Sequence, residues 1–257
     1  MLHLTDPHLF ADPQGALRGA ATLASLQAVL EHYRDSDWRA DIIAVTGDLI
    51  QDDSAGAYAH FCRLLREPGL PVYCLPGNHD VRSLMRTALA DPPFHYCEAT
   101  ERAGWLIVCI DSCVSDDAGG AISDAEYERL EKKIANTGAE HVMVCLHHPP
   151  VPMHSKWLDT VGLARGDEFL QRAGASGKVR LAIFGHVHQE YEADHNGIRI
   201  IATPSTCRQF AKGSDEFALD NNPPAYRRIT LHPAGDFDTE LVWVDGARHM
   251  PAAGKSA

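Results

Sequence analysis

Features that mark several classes of protein are missing from this sequence. No apolar stretch approaches the ~20 residues that a membrane-spanning helix needs, and Asp6 arrives before an apolar signal segment could form. The seven cysteines are scattered, with no Cys-x-x-Cys pair, so a disulfide framework is not indicated. These absences predict a soluble, cytoplasmic protein with reduced thiols.

Clusters of basic residues are missing too. The formal net charge is −12, and lysine and arginine are nowhere concentrated. Because an enzyme that acts on duplex nucleic acid needs a basic stripe for the phosphate backbone, we expect no nucleic-acid partner. A small anionic substrate is compatible with this charge, since bound metal ions reverse the field of an acidic protein locally.

Internal repeats, linkers and low-complexity tracts are also lacking. The 257 residues are 45% hydrophobic and 23% charged, as in ordinary globular proteins. Strand-like segments alternate with helix-like segments, which favours a layered α/β architecture. We expect one domain over residues 1–247, followed by a flexible tail over residues 248–257.

Local patterns predict individual elements of this architecture. Apolar side chains at helical spacing indicate helices over residues 20–34 and 54–66. Ser123-Asp124-Ala125-Glu126 is a capping box that opens a helix ending near Asn136, and Asn196-Gly197 indicates a hairpin. A second, separate half of the strand system is predicted at Trp105–Asp111, Ile198–Ala202, Ala225–His232 and Glu240–Val244.

Five short polar runs each close an apolar segment that is typical of a strand. Ligands at the ends of successive strands converge on one rim of a sheet, where open α/β folds place their sites. The strands are predicted at Leu2–Thr5, Ile42–Thr46, Val72–Pro76, Val142–Leu146 and Leu181–Phe184. The runs that follow them are Asp6-Pro7-His8, Gly47-Asp48, Gly77-Asn78-His79-Asp80, His147-His148-Pro149 and Gly185-His186-Val187-His188.

This set of side chains indicates a pair of divalent metal ions. It mixes aspartate, asparagine and histidine without cysteine, which suits Mn, Fe or Zn. Two ions held close together repel each other, and a bridging carboxylate relieves that repulsion. Asp48, the only carboxylate in the middle of the set, is the predicted bridge. The predicted ligands are Asp6, His8 and His188 for the first metal, and Asn78, His147 and His186 for the second.

The backbone around these ligands needs turns. His186 and His188 lie two residues apart at a strand end, so a turn is required to aim both inward. Gly185 is predicted to supply the conformational freedom, as are Gly47 and Gly77 before their own ligands. Asn78 is neutral and leaves more positive charge for a phosphate, although this residue type also caps helices.

The remaining histidines divide into three groups. His79 adjoins a ligand and suits proton donation to a leaving oxygen, with Asp80 holding its other ring nitrogen; the alternative is that His79 only supports the metal ligands. His148 is expected to support its neighbour His147. The other nine are expected to face solvent, among them His32, His60, His195 and His249. Two loop-rich stretches, residues 149–166 and 203–224, are candidates for the substrate rim.

Taken together, the five runs resemble the calcineurin-like metallophosphoesterase signature, in full and in order from Asp6 to His188. The resemblance implies a four-layer α-β-β-α sandwich with two mixed β-sheets and a two-metal site on one rim. The sequence is also similar to bacterial class III 3′,5′-cyclic AMP phosphodiesterases over nearly the whole chain. That similarity rests on Leu17-Arg18-Gly19, Gly47–Asp52, Leu146–Pro150, Trp157-Leu158-Asp159, Gly185–Glu190 and Thr203–Phe210.

The narrower resemblance implies hydrolysis of cyclic AMP to 5′-AMP, with Fe or Mn in the site and attack by a hydroxide that bridges the metals. His79 would be the catalytic proton donor, and His8, Asp48, Asn78, His79 and His188 would contact the substrate. The alternatives are a phosphodiesterase for glycerophosphodiesters or other nucleotide esters, and a binding scaffold without metal. Relatives that act on lipid precursors tend to carry arginine where this chain has His79, which disfavours that activity.

Overall fold

The computed structural model describes residues 1–245, so the expected tail at residues 248–257 lies outside it. The helices are α1 Thr22–Asp35, α2 Ala55–Arg66, α3 Arg82–Ala88, α4 Asp124–Asn136, α5 Lys156–Asp159 and α6 Gly166–Gly174. The strands are β1 Leu2–Leu4, β2 Ala16–Leu17, β3 Ala20–Ala21, β4 Ile43–Thr46, β5 Val72–Leu75, β6 Phe94–Tyr96, β7 Ala99–Arg102, β8 Trp105–Cys109, β9 His141–Cys145, β10 Val179–Phe184, β11 Tyr191–His195, β12 Ile198–Ala202, β13 Ala225–Leu231 and β14 Phe237–Trp243.

Two six-stranded sheets dominate the fold. The first has the strand order β14-β13-β1-β4-β5-β6 and the second β11-β12-β10-β9-β8-β7. In the first sheet β1, β4, β5 and β6 are parallel to one another, whereas β13 and β14 pair antiparallel. In the second, β8, β9, β10 and β12 are parallel, and antiparallel strands close both edges.

Alternate side chains of each strand enter two different cores. In β4, Ile43 and Val45 pack against α1, α2 and α3, whereas Ala44 packs against the second sheet. In β9, Val142 and Val144 face α4 and α6 on the other side of the molecule. Because these strands are buried on both faces, they appear in the sequence as nearly continuous apolar runs. The predicted four-layer α-β-β-α sandwich with two mixed sheets is confirmed.

The five strands predicted to carry polar runs are β1, β4, β5, β9 and β10. They begin and end within two residues of the predicted bounds, and within each sheet they are parallel neighbours. Their carboxyl ends therefore lie on the same rim, as expected for open parallel sheets. Among residues 1–245, no helix combines the length and apolarity needed to cross a bilayer.

Predictions that depend on short-range signals were confirmed. Helix α4 begins directly after Ser123, whose side-chain oxygen accepts a hydrogen bond from the Glu126 amide at 3.2 Å. The reciprocal half of the capping box is not used, because the Glu126 carboxylate instead accepts from the Asp111 amide. Asn196 and Gly197, both with positive φ, form the two-residue turn between β11 and β12, as a type I′ hairpin requires.

The grouping of four strands into a separate half of the strand system was wrong. β8 and β12 belong to the second sheet, but β13 and β14 pair onto β1 of the first sheet. The partner of β13 lies more than 220 residues away in the sequence, with Leu2 opposite Arg228. Hydrophobic periodicity reports which face of a strand is buried but not which strand lies beside it, so the sequence pattern could not make this assignment.

Of the nine histidines expected to face solvent, His249 lies outside the described residues, and the prediction is wrong at His3 and His141, which are buried. His3 is fully enclosed between the sheets, where its Nε2 lies 2.8 Å from the Thr46 hydroxyl and its Nδ1 2.7 Å from the Thr203 hydroxyl. The buried Arg227 donates to the same Thr203 hydroxyl at 3.3 Å. These hydrogen bonds connect the two sheets, and they satisfy polar groups that would otherwise be costly to bury.

We expect His3 to make folding sensitive to acid. Burial, together with the nearby Arg227 charge, lowers the pKa of His3 from 6.5 to about 3. As the pH falls below 6.5, His3 takes up a proton in the unfolded chain but stays neutral in the folded protein. The free energy of unfolding is therefore at its full value above pH 6.5 and decreases progressively toward pH 3. In urea titrations of metal-free protein between pH 6 and pH 4, wild type should lose up to about 1.4 kcal/mol per pH unit more than His3→Gln. If the unfolding free energies of wild type and His3→Gln fell in parallel with pH, His3 would not be the source of the acid sensitivity.

Candidate metal centre and substrate pocket

The seven predicted metal ligands all lie where the loops leave the strand ends, and five of them have an unusual backbone. Left-handed conformations are uncommon for residues other than glycine and are found preferentially at functional sites. The surrounding packing must hold these residues in place, because each conformation costs free energy. The φ angles are 51° at Asp6, 46° at His8, 52° at Asp48, 66° at His186 and 48° at His188.

The role predicted for the glycines was correct only at Gly47, whose φ is 93°. Gly185 does not supply the freedom of its turn, which comes from His186 and His188 themselves. A Cβ on Gly185 would lie 2.0 Å from the Thr5 hydroxyl, and one on Gly77 would lie 2.1 Å from an Asp48 carboxylate oxygen. These two glycines are therefore required for the close approach of neighbouring strand ends.

One group of ligand atoms is formed by the first and last of the polar runs. The Nε2 atoms of His8 and His188 are 3.1 Å apart, and His188 Nε2 lies 3.5 Å from Asp6 Oδ1. His8 Nε2 lies 3.6 Å from Asp48 Oδ2. All four side chains are almost completely buried, so their donor atoms converge on a space shielded from bulk water.

A second group lies on the other side of Asp48. His147 Nε2 is 3.4 Å from the same Asp48 Oδ2 and 3.2 Å from Asn78 Oδ1. His186 Nδ1 lies 3.0 Å from Asn78 Oδ1 and 3.2 Å from His147 Nε2. Asp48 Oδ2 thus lies between the two groups, and its role as the bridge between two metals stays a prediction.

The electrostatics of these groups suit cation binding. Burial raises the pKa of Asp48, but His147, His8 and His79 outweigh it and bring that pKa well below its usual value. Burial lowers the pKa of His8 to about 4 and that of His186 well below 6.5, with neighbouring histidines contributing to both. Burial lowers the pKa of His147, but Asp48 and Asp6 outweigh it and raise that pKa to about 9. At neutral pH the metal-free site therefore presents carboxylate anions, neutral His8 and His186, and a protonated His147 that must give up its proton to bind a metal ion.

Backbone carbonyls hold the outer ring nitrogens of two of the four ligand histidines, whereas His8 Nδ1 and His186 Nε2 have no hydrogen-bond partner among the described residues. His147 Nδ1 lies 2.7 Å from the Thr46 carbonyl oxygen and His188 Nδ1 lies 2.6 Å from that of Arg208. This arrangement orients each Nε2 toward the centre, as is usual for histidines that bind metals. Asp6 is held by the Thr5 hydroxyl and the His186 amide. The donor set, its convergence and its supporting contacts fit two divalent metal ions.

His148 is placed next to this set but is occupied elsewhere. Its Nδ1 lies 2.9 Å from the Ser112 hydroxyl, and its Nε2 lies 3.2 Å from the Ala118 carbonyl oxygen. Burial and the charge of His147 lower the pKa of His148 to about 3. Its ring packs at 4.9 Å from those of His147 and His186, so its contacts are those of a neutral supporting residue.

His79 lines the pocket above the metal centre, and its ring contacts that of His8 edge-on at 5.0 Å. The prediction that Asp80 holds its ring is wrong: Asp80 accepts hydrogen bonds from Tyr58 and from the amides of Leu49 and Gly77. The partner is Gln51, whose Nε2 lies 3.2 Å from His79 Nδ1. The only signal in the sequence that could have pointed to Gln51 is its position three residues after Asp48.

This contact defines the protonation of His79. With the Gln51 amide oriented as it is here, its nitrogen donates to Nδ1 of His79, and a neutral His79 ring then carries its proton on Nε2. Asp48 contributes to the same arrangement, since its Oδ1 accepts from the His79 amide at 2.9 Å. His79 can therefore present a donor to a molecule bound in the pocket.

The pocket has a volume of about 270 Å³, and its floor includes His8, Asp48, Asn78, His186 and His188. Both loop-rich stretches predicted for the rim contribute to its walls, the first through Trp157 and Leu158 and the second through Phe210 and Phe217. Sequence reasoning did not single out Phe217, which stands alone as an aromatic residue in an acidic and polar segment.

Comparisons with known proteins agree with this geometry. The calcineurin-like phosphoesterase family model matches residues 1–190. The chain is 38% identical to the 3′,5′-cyclic adenosine monophosphate phosphodiesterase CpdA of Escherichia coli (strain K12), with 98% of this chain and 92% of that protein covered. It is 36% identical to the CpdA of Vibrio vulnificus (strain CMCP6), with the same coverage.

Among solved structures, a dimetal phosphatase from Danio rerio has the same fold. The TM-score is 0.64 at 13% identity, and the match covers 95% of this chain and 98% of the other. With the family match spanning most of the sequence and two relatives above one-third identity over almost its full length, the chain belongs to the calcineurin-like phosphoesterase family.

Proposed function

We propose that this protein is a dimetal phosphodiesterase that hydrolyses 3′,5′-cyclic AMP to 5′-AMP. The observation that carries the proposal is the placement of Asp48 Oδ2, which lies 3.6 Å from His8 Nε2 in one ligand group and 3.4 Å from His147 Nε2 in the other. Both groups form the floor of a pocket large enough for a small phosphodiester. The similarity to two cyclic AMP phosphodiesterases over almost the whole chain supports this substrate.

Seven side chains would hold the metals. Donor sets of imidazole, carboxylate and amide oxygen suit Fe or Mn and also accept Zn. When bound, two divalent ions supply positive charge to the phosphoryl oxygens and lower the pKa of an attacking water. Asp48 would contact both ions, Asp6, His8 and His188 would complete the first site, and Asn78, His147 and His186 would complete the second.

The substrate would be held at the phosphate by the same rim, against His8, Asp48, Asn78, His79 and His188. The oxygen of water adds to phosphorus, and the bond between phosphorus and the 3′ oxygen breaks. The departing oxygen takes a proton, and His79 is the donor, because Gln51 leaves the His79 proton on Nε2. General acid catalysis of this kind typically contributes a factor of about 10²–10⁴ to the rate.

The proposed partner is therefore a small cyclic nucleotide, and the proposed compartment is the cytoplasm. Cys109 and Cys145 lie directly opposite each other on the paired strands β8 and β9, and both are free thiols. Scattered cysteines without a Cys-x-x-Cys pair are typical of proteins in a reducing compartment.

The test is a comparison of substrates with metal-stripped protein to which Mn²⁺ is added back. Cyclic AMP, bis(p-nitrophenyl) phosphate and glycerophosphocholine are compared by kcat/KM. We expect cyclic AMP to be preferred. Hydrolysis of the activated aryl diester without appreciable turnover of cyclic AMP would leave the metal centre in place and assign the protein to another diester.

A further inference from the structure

An aromatic wall rises from the metal centre along one side of the pocket. It consists of Trp157, Phe210 and Phe217, whose rings contact one another edge to face with centroids 5.2–5.3 Å apart. Phe210 also lies flat on the ring of His188, at 4.1 Å and with an angle of 4° between the planes. One end of the wall, Phe210, is therefore in direct contact with a predicted metal ligand.

A cationic side chain completes the wall. Arg18 places its guanidinium carbon 5.1 Å from the centre of the Phe217 ring. Arg18 and Gly19, both with positive φ, form the tip of the hairpin between β2 and β3, and Arg18 also lines the pocket. In a chain with a net charge of −12, a positive group at this position favours an anionic ligand.

Contacts outside the rings keep the wall in place. The segment that carries Phe217 folds back on itself, with the Ala211 amide donating to the Ala218 carbonyl at 2.8 Å. The same segment is joined to the start of α5 by a hydrogen bond from the Ser155 hydroxyl to the Ser214 carbonyl and by the ion pair of Lys156 with Asp215. Two separate parts of the chain, residues 211–218 and the start of α5, are thus fastened together before any ligand binds.

Two properties of the wall are unexplained by folding alone. Phe217 is 44% exposed, although large apolar side chains are mostly buried in the part of the chain that the structure describes. The indole Nε1 of Trp157 is buried without an acceptor among residues 1–245, which costs free energy unless a ligand or water accepts its hydrogen bond. The exposure of Phe217 is expected of a surface that a flat ring covers, whereas Trp157 Nε1 is already enclosed by the protein and contributes nothing to such a surface.

We propose that Arg18, Trp157 and Phe217 form a subsite that binds the purine base of the substrate by stacking. This inference rests on the proposed function, because the base is attached to the cyclic phosphate held over the metals. Aromatic side chains bind nucleobases through their faces, and an arginine on the same ring adds a cation–π contribution. The metal groups recognise only the phosphodiester, so this wall is where a nucleotide is distinguished from other diesters.

The experiment measures the contribution of the base in the wild type and in Phe217→Ala. Hydrolysis of cyclic AMP is compared with that of the base-free analogue, methyl ribofuranoside 3,5-cyclic phosphate, by kcat/KM in Mn²⁺-loaded enzyme. Stacking of one base corresponds to a factor of about ten or more. Phe217→Ala should lower kcat/KM for cyclic AMP by about tenfold and leave the value for the analogue within about twofold. Val114→Ala, which truncates another exposed apolar side chain outside the pocket, should change neither.

Equal losses on both substrates would show that the wall only supports His188, and would overturn the proposal, as would no loss on either. A binding measurement separates this failure from that of the proposed function. Mn²⁺-loaded protein is titrated calorimetrically with 5′-AMP and with ribose 5-phosphate, which requires no turnover. Tighter binding of 5′-AMP that Phe217→Ala and Arg18→Ala abolish supports the subsite even if cyclic AMP is not hydrolysed, whereas equal affinities overturn it.

Discussion

Replacing Asp48 with asparagine should reduce metal occupancy from two ions to one or none per chain and lower kcat/KM for cyclic AMP by at least about 10³-fold. The variant keeps an oxygen at Oδ1, so the hydrogen bond from the His79 amide can persist. What is lost is the negative charge at Oδ2, which faces both His8 and His147. Without that charge, no carboxylate of the predicted ligand set lies between the two ion sites to offset the repulsion between two divalent ions.

Metal content of purified protein, measured by plasma mass spectrometry, gives the first reading, and turnover gives the second. Asp53→Asn is the matched control, because Asp53 is an exposed carboxylate on the same loop, and it should keep two metals and full activity. If Asp48→Asn retained two metals and wild-type turnover, the bridging assignment would be refuted.

Replacing His79 with alanine should separate proton donation from metal binding. We expect two metals to remain bound and kcat for cyclic AMP to fall by about 10²–10⁴-fold. The loss should be less than about tenfold for bis(p-nitrophenyl) phosphate, because p-nitrophenolate leaves as a stable anion without needing a proton. A structural role for His79 would lower both rates alike.

The control for this variant is His154→Asn, an exposed histidine that does not line the pocket. It should leave metal content and both rates unchanged. Loss of a metal from His79→Ala would make His79 a ligand, a role for which the structure gives some reason, since its ring lies within reach of His8 and Asp48. That result would remove proton donation from the mechanism.

The candidate metal centre was predictable because its signals are local and repeated. Each ligand follows an apolar run at the end of a strand, and β1, β4, β5, β9 and β10 all formed where the runs predicted them. The same is true of the Ser123 cap and of the Asn196-Gly197 turn, each of which depends on hydrogen bonds within a few residues. Short-range chemistry of this kind is legible in a single sequence.

The residues around the centre were less predictable, because their roles depend on partners distant in the sequence. Gln51 contacts His79 across 28 residues, and nothing in its own neighbourhood distinguishes it from a surface glutamine. His3 is buried because Thr203 comes from the other sheet, 200 residues away. Gly185 was expected to give its own turn conformational freedom. A glycine is needed there instead because the Thr5 side chain, from another strand end, leaves no room for a Cβ.

By itself, the sequence determined the five strands that carry the polar runs, the helices α1, α2 and α4, and the identity of the candidate ligands, since periodicity, capping and turn chemistry act over a few residues. Tertiary structure decided which sheet received β13 and β14, which histidines became buried, and how α5 and the 203–224 stretch built a wall beside His188. The reason is physical: pairing between distant strands and packing between loops are chosen by the total free energy of the folded chain. Local patterns describe what each segment buries, and only the assembled fold specifies what it is buried against.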